Sequence, residues 1–356
     1  METPMDKRKH RLSLALVVAV AAITAFLLVK DQELPQIFAL LHRVDIPYLL
    51  IGLLIMAMFF SCEAMAVRHL LLGLGYRIRW RRCLSYSLID FYFSSITPGS
   101  CGGQLSQLYY MGRDGLPLGA SSLALLLFNT SYHISVLLIA GLACLLSPGG
   151  EWQTLGAIRY LLLYGAAAQL LIAVFYSTAV FSRSLAPSLV RLAIGLLARL
   201  HLLRRPERTL KRLTAQVAEY QRGAEYIRRN PRTLMTLLLL TTCHVLALYS
   251  LPFWVYLAFG LTGCGFWTIV AVQASLTLAM ESLPIPGGIG VTEGSFMLLY
   301  ASIFGNALVL PALVLTRGIN YYSCLMVGGL VSAAARRRKV KPLPSAKLPG
   351  YAKGTV

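Results

Sequence analysis

Six stretches of this sequence run for about twenty residues with almost no charge, and few folds are open to a chain built that way. They are 12–29, 46–67, 119–146, 158–181, 233–261 and 307–332. A bilayer core about 30 Å thick is crossed by about 20 apolar residues in a helix. Composition agrees, at 57% hydrophobic and 13% charged, about half the charge of an ordinary soluble domain. So few charges exclude a soluble globular domain, and the apolar content excludes disorder. Lys and Arg number 33 against 14 Asp and Glu, a net charge of +19. Nucleic-acid binders share such a balance but do not carry runs of spanning length. The fold class is therefore an all-α polytopic membrane protein, with no nucleic-acid partner expected.

The first stretch follows Lys7-Arg8-Lys9 and contains a nominal cleavage site at Ala19-Val20-Ala21. Its apolar run continues past that site, so an uncleaved anchor is expected. The seven cysteines form no C-x-x-C pair and read as packing residues, with no metal site expected.

Two further apolar segments, 84–111 and 267–304, are each broken in the middle. The breaks read Thr97-Pro98-Gly99-Ser100-Cys101-Gly102-Gly103 and Pro284-Ile285-Pro286-Gly287-Gly288-Ile289-Gly290. Neither arm of either segment spans comfortably. Each segment reads as a re-entrant hairpin, tolerated at membrane depth only inside the bundle.

Charge then orients the chain. Residues 68–82 carry five basic and no acidic side chains, 182–232 carry twelve and three, and the tail after Ser332 carries seven and none. By the positive-inside rule both termini are cytoplasmic. The first hairpin then enters from the cytoplasm and the second from the opposite face. The halves also match in sequence. Asn129 follows Pro98 by 31 positions, and Arg317 follows Pro286 by 31. Gln104 opens a helical arm in one copy and Glu293 in the other. The expected organisation is one integral membrane domain over 1–335, with an inverted repeat (about 46–146 and 233–332), a linker (about 182–232) and a basic tail (336–356). Inverted repeats with broken helices recur in proteins that move substrates across bilayers.

Candidate site residues follow from these breaks. Helices that begin at Gly102-Gly103 and at Gly288 or Gly290 present unpaired N–H groups and a partial positive charge. Arg317 lies about 15 Å inside its span, where an ionisable group is by default functional. It either pairs with Glu293 or Glu281 as a clamp or binds an anion in a wet cavity, and a phosphate suits it. Asn320 and Tyr321 lie beside it. Glu281 and Asp90 are candidates for a proton or ion relay, although Asp90 also reads as a carboxylate at the cytoplasmic interface. Glu63 reads as a partner of Arg68, and the lone His133 and His244 read as packing residues. Leu210, Leu213, Val217, Tyr220, Ala224 and Ile227 form one helical stripe, which lies either on anionic headgroups or against the bundle.

The Thr97-Pro98-Gly99 turn, the stretch Pro286-Gly287-Gly288-Ile289-Gly290-Val291-Thr292-Glu293 and the segment Leu315-Thr316-Arg317-Gly318-Ile319-Asn320-Tyr321-Tyr322 resemble the lysylphosphatidylglycerol synthase transmembrane family. This is the flippase-like domain of the multiple peptide resistance factor. The resemblance covers nearly the whole chain. It implies a bacterial or archaeal inner-membrane protein that moves a polar-headgroup lipid between leaflets, through a cavity between two re-entrant hairpins. The membrane's own phospholipids, or a lipid-linked substrate, are the expected partners. Members often carry a Glu after the first Gly-Gly and an Arg in the next span. Gln104 and Asn129 stand there instead, which concentrates charge on Glu293 and Arg317. With no soluble transferase region after Arg336-Arg337-Arg338-Lys339, lysyl transfer is not expected, nor is a cofactor or a catalytic residue. The expected substrate-binding set is Arg317, Glu293, Thr97, Gly102, Gly103, Gln104, Gly287, Gly288, Gly290, Asn129, Asn320 and Tyr321. The alternatives are an accessory subunit of a lipid synthase or glycosyltransferase, and a membrane-embedded transferase.

Overall fold

The computed structural model describes residues 44–97, 102–147, 158–182, 220–280 and 290–338, with a few isolated positions besides. Its main elements are nine helices: α1 (Ile46–Gly73), α2 (Trp80–Ile96), α3 (Gly102–Arg113), α4 (Leu118–Leu146), α5 (Ile158–Phe181), α6 (Pro231–Ala258), α7 (Phe266–Met280), α8 (Val291–Arg317) and α9 (Ser323–Arg337). A π-helical turn, Gly318–Tyr322, joins the last two. Five helical runs among the described residues are long and apolar enough to cross a membrane. They are α1, α4, most of α5, α6 and the continuous run Thr292–Arg337. The expected span at 12–29 lies outside the described residues.

Large apolar side chains face outward on these helices, among them Leu54, Leu163, Leu171 and Leu239. In water such a surface would associate, whereas lipid solvates it. Helix ends follow local chemistry. Pro47 and Pro231 sit in the first turns of α1 and α6, where a missing N–H costs nothing. α1 runs past the expected end at Val67 to Gly73, and the chain turns at Gly75, whose φ of 88° favours glycine. α6 stops at Ala258 rather than Leu261, beside Gly260 with φ of 69°.

α1 and α6 pack antiparallel. Asp45 N–H donates to Ala258 O at 2.9 Å, and His244 Nδ1 lies 2.8 Å from Phe59 O. Between these, the small Gly52 faces Leu251. α4 meets α6 through Ser131, Ser135, Thr241 and Thr242, whose hydroxyls bond one another at 2.6 to 3.1 Å. His133 bonds Gln169 across to α5 and stacks on Tyr176. Both histidines are therefore hydrogen-bonded packing residues.

α2 and α3 form a tight helical hairpin. A Cβ on Gly103 would lie 2.6 Å from Asp90 O, so only glycine permits this approach. At the open end Tyr86 OH donates to Asp114 Oδ2 at 2.5 Å. Asp114 is buried, and Arg338 Nη2 reaches both its oxygens at 2.8 and 2.7 Å. Arg82 stands 3.7 Å away. This clasp fixes the end of α9 to the base of the α2–α3 hairpin. Farther along, Gly328 of α9 brings its backbone against Leu88 O of α2.

The run Thr292–Arg337 is 46 residues, or about 69 Å if straight, more than twice a bilayer core. It is not straight. Gly305 has φ 72° and ψ 161°, a region that is essentially Gly-only. The ion pair between Glu293 and Arg317 measures 2.8 Å, although 24 residues of continuous helix would separate them by about 36 Å. The chain therefore folds back at Gly305 into arms 291–304 and 306–317. The expected boundary between second hairpin and last span, 304 to 307, contains this break.

Of the amphipathic stripe, Val217, Tyr220, Ala224 and Ile227 are described. The last three are buried in a core shared with Leu70, Leu71 and Leu123. Tyr220 OH donates to Ala179 O at 3.0 Å. This part of the stripe faces protein, and burial pushes the Tyr220 hydroxyl up to about 12. Leu210 and Leu213 lie outside the described residues.

Candidate functional site

Glu293 sits in the first turn of α8, and its two oxygens do separate work. Oε2 accepts from Gly290 N–H at 2.6 Å, one half of a capping box. Oε1 lies 2.8 Å from Arg317 Nε. Gly290 has φ of 92°, so glycine is needed for the turn that brings this N–H round. One carboxylate thus caps a helix and holds a cation from the antiparallel arm.

The Arg317 side chain is 12% exposed and that of Glu293 is 7% exposed. The Nε contact is an ion pair without an aligned N–H bond, and Nη2 is buried with no hydrogen-bond partner among the described residues. The guanidinium carbon stands 5.2 Å from the centre of the Tyr321 ring, within cation–π range. Asn320 Oδ1 and Thr316 Oγ1 are also buried without partners. Arg317 immediately precedes the π-helical turn, an irregularity common at functional positions. A guanidinium neutralised on one edge with donors spare on another is chemically able to hold an anionic oxygen.

The first hairpin reaches this centre through Tyr321, whose OH donates to Ser95 O at 3.4 Å and whose ring meets Phe91. Two residues on, Thr97 Oγ1 accepts from Gly102 N–H at 2.9 Å. The leading N–H of each hairpin helix is thus held by a local side chain, Thr97 for α3 and Glu293 for α8. Arg317, Glu293, Gly290, Asn320 and Tyr321 gather in one place, with Thr97, Gly102 and Gly103 at the neighbouring hairpin tip. Gln104 is exposed, and Asn129 Nδ2 bonds Leu125 O of its own helix at 2.9 Å. Gly287, Gly288 and Glu281 lie outside the described residues.

Two acidic residues depart from expectation. Glu63 does not pair with Arg68, whose Nε donates to Ile78 O at 3.1 Å. Glu63 is buried and accepts from Gln107 Nε2 at 3.4 Å. Residues five apart face different sides of a helix, a signal present in the sequence. Asp90 is not an interfacial carboxylate. Its Oδ1 is sealed from solvent, without a hydrogen-bond partner, against the start of α3. Thr316, Gln107, Asp114 and Arg338 were not singled out by the sequence. A hydroxyl one position before a buried Arg was the one available hint. Among the described residues no three His, Cys, Asp or Glu side chains group to hold a metal.

These features define a multi-pass helical membrane protein with a charged pair buried between folded-back helices. Residues 12–328 match the family described as Lysylphosphatidylglycerol synthase TM region, and the chain belongs to that family. A comparison with curated proteins finds no match.

Proposed function

We propose that this protein is a lipid translocase of the cytoplasmic membrane, with both termini on the cytoplasmic side. The lipid's phosphate-containing headgroup enters a polar cavity between two re-entrant hairpins related as an inverted repeat, while its acyl chains stay in the bilayer. Arg317 binds the phosphate, with Tyr321 and Asn320 beside it. The observation that carries the reading is the buried Arg317 Nη2, without a hydrogen-bond partner among the described residues although Glu293 already balances the charge. Burying a donor costs free energy unless something accepts from it, and a phosphodiester oxygen fits that place. The family supports a lipid-related role in the membrane. Lipid binding displaces or loosens the Glu293 contact, so the pair acts as a placeholder for the headgroup.

The test is transbilayer movement of labelled phospholipids in vesicles reconstituted with the purified protein. The double variant Arg317→Met with Glu293→Gln removes both charges together and keeps an acceptor for Gly290 N–H. We expect it to fold and to lose lipid movement. Movement at the wild-type rate in this variant refutes the phosphate site. Dependence on an added synthase would favour an accessory subunit.

A further inference from the structure

The mechanism above leaves two acids unused, the buried Glu63 on α1 and the half-buried Asp90 on α2. Glu63 is 6% exposed. Gly103, which closes over Asp90 Oδ1, and Gln107, which bonds Glu63, stand one turn apart on the same face of α3, so the two acids meet neighbouring positions of that helix. The surroundings supply a neutral donor. Gln107 of α3 gives its amide to Glu63 at 3.4 Å, while the Ser87 hydroxyl of α2 donates to Cys83 O at 3.4 Å. Asp90 Oδ1 is buried with no partner, and Gly103 closes over it so tightly that a Cβ there would lie 2.8 Å from this oxygen.

Most described charged or titratable groups on the surrounding elements are engaged elsewhere or are neutral, and Arg336 of α9 lies toward Tyr92. On α1, Arg68 bonds Ile78 O, the buried His69 Nε2 has no partner, and Cys62 is buried. On α2, Arg82 and Tyr86 turn to Asp114, Cys83 is buried, and Tyr92 packs against Gly328 and Gly329. On α3, Tyr109 and Tyr110 meet edge to face, and Arg113 donates to the carbonyls of Arg336 and Arg338. On α6, His244 faces Phe59 O, and Cys243 lies near Cys62. Beyond α8, Arg317 faces Glu293, and Tyr321 faces Ser95 O. On α9, Arg338 holds Asp114, and Cys324 bonds Ile319 O. No described cation balances either carboxylate.

Two like charges at neighbouring positions of one helix face, with little solvent to screen them, are costly to keep together. We propose that Glu63 and Asp90 form a proton-binding site that holds one proton between them. An O–H bond forms on one carboxyl, and the remaining negative charge is stabilised by the Gln107 amide. The site lies in the first half of the chain, within about one and a half helical turns of the α2 residues Phe91 and Ser95 that meet Tyr321. A proton here changes the charge of the first hairpin with no change at Arg317. The inference is independent of the lipid reading, and its test measures protons directly.

The full-length protein in lipid nanodiscs is titrated from about pH 5 to about pH 9, a range in which isolated carboxyls are already ionised. The protonated-carboxyl stretch is followed by infrared difference spectroscopy. We expect one such band in the wild type, lost as pH rises. In Glu63→Gln the remaining acid is freed of its neighbour's charge, so its proton affinity falls by about tenfold or more and the band vanishes at a lower pH. Asp90→Asn shifts the band in the same direction. Absence of any pH-dependent band in the wild type overturns the proposal, and that measurement needs no variant. A band unmoved by both substitutions also overturns it. So does a band displaced by added sodium at fixed pH, which would make the pair a metal-cation site.

Discussion

Replacing Gly305 by alanine tests whether one backbone torsion holds the candidate site together. Nothing lies within 4 Å of a Cβ placed at this position, so packing contributes nothing and the whole cost is conformational. A non-glycine residue at φ 72°, ψ 161° costs about 1–3 kcal/mol. The alternative to paying it is a straighter α8, which pulls Glu293 away from Arg317 toward the separation of about 36 Å that continuous helix would impose. We therefore expect Gly305→Ala to lose about 1–3 kcal/mol in reversible denaturant unfolding in mixed micelles. Spin labels at the exposed positions Leu298 and Val314 should report a longer or broader distance. Gly318→Ala is the control. It also has nothing within 4 Å but has helical torsions of −54° and −46°, so alanine is neutral or stabilising by up to about 1 kcal/mol. Equal stability of the two variants, with unchanged label distances, would refute the torsional argument.

Three further outcomes are expected. Glu293→Ala strands a buried guanidinium and costs about 3–5 kcal/mol, whereas pairing Glu293→Gln with Arg317→Met costs less than Glu293→Ala alone, as denaturant unfolding in mixed micelles will show. At the clasp, Tyr86→Phe removes a bond to a buried carboxylate and costs about 1.5–3 kcal/mol. Arg338→Ala, whose side chain is 41% exposed, costs about 1 kcal/mol or less, and chemical denaturation ranks the two. Tyr220 stays neutral when docked up to about pH 12, while in the free segment it ionises from its ordinary value of 10.0. Docking of 220–228 is thus intact below pH 10.0 and weakens as pH rises from there through about 12, which should appear as faster proteolysis of this segment, and Tyr220→Phe should abolish that pH dependence.

Much of the architecture was legible because hydrocarbon imposes a length scale. The ends of α5 and the break near Gly305 both follow from where apolar runs stop. The chemistry of the site was legible in part. A lone Arg deep in a span announces itself, but the choice between Glu293 and Glu281 depends on a fold-back that no periodicity encodes. The clasp between Asp114 and Arg338 joins residues 224 apart, and charge counts assign both to a solvated margin. Helical spacing around Tyr220 shows which face is apolar, yet protein and lipid cover an apolar face equally well. Glu63 was misassigned by proximity in sequence, which on a helix says little beyond four residues.

The Asp114–Arg338 clasp also sets the lever of the molecule. It pins one end of α9 to the α2–α3 hairpin, and Gly328 keeps the two backbones in contact partway along. Arg317 lies 21 residues up the chain from Arg338, or about 31 Å of helix. If the two halves separate while the clasp holds, they open like scissors from this rivet. A rotation of about 10° there carries Arg317 about 5 Å sideways, a displacement on the scale of one helical turn.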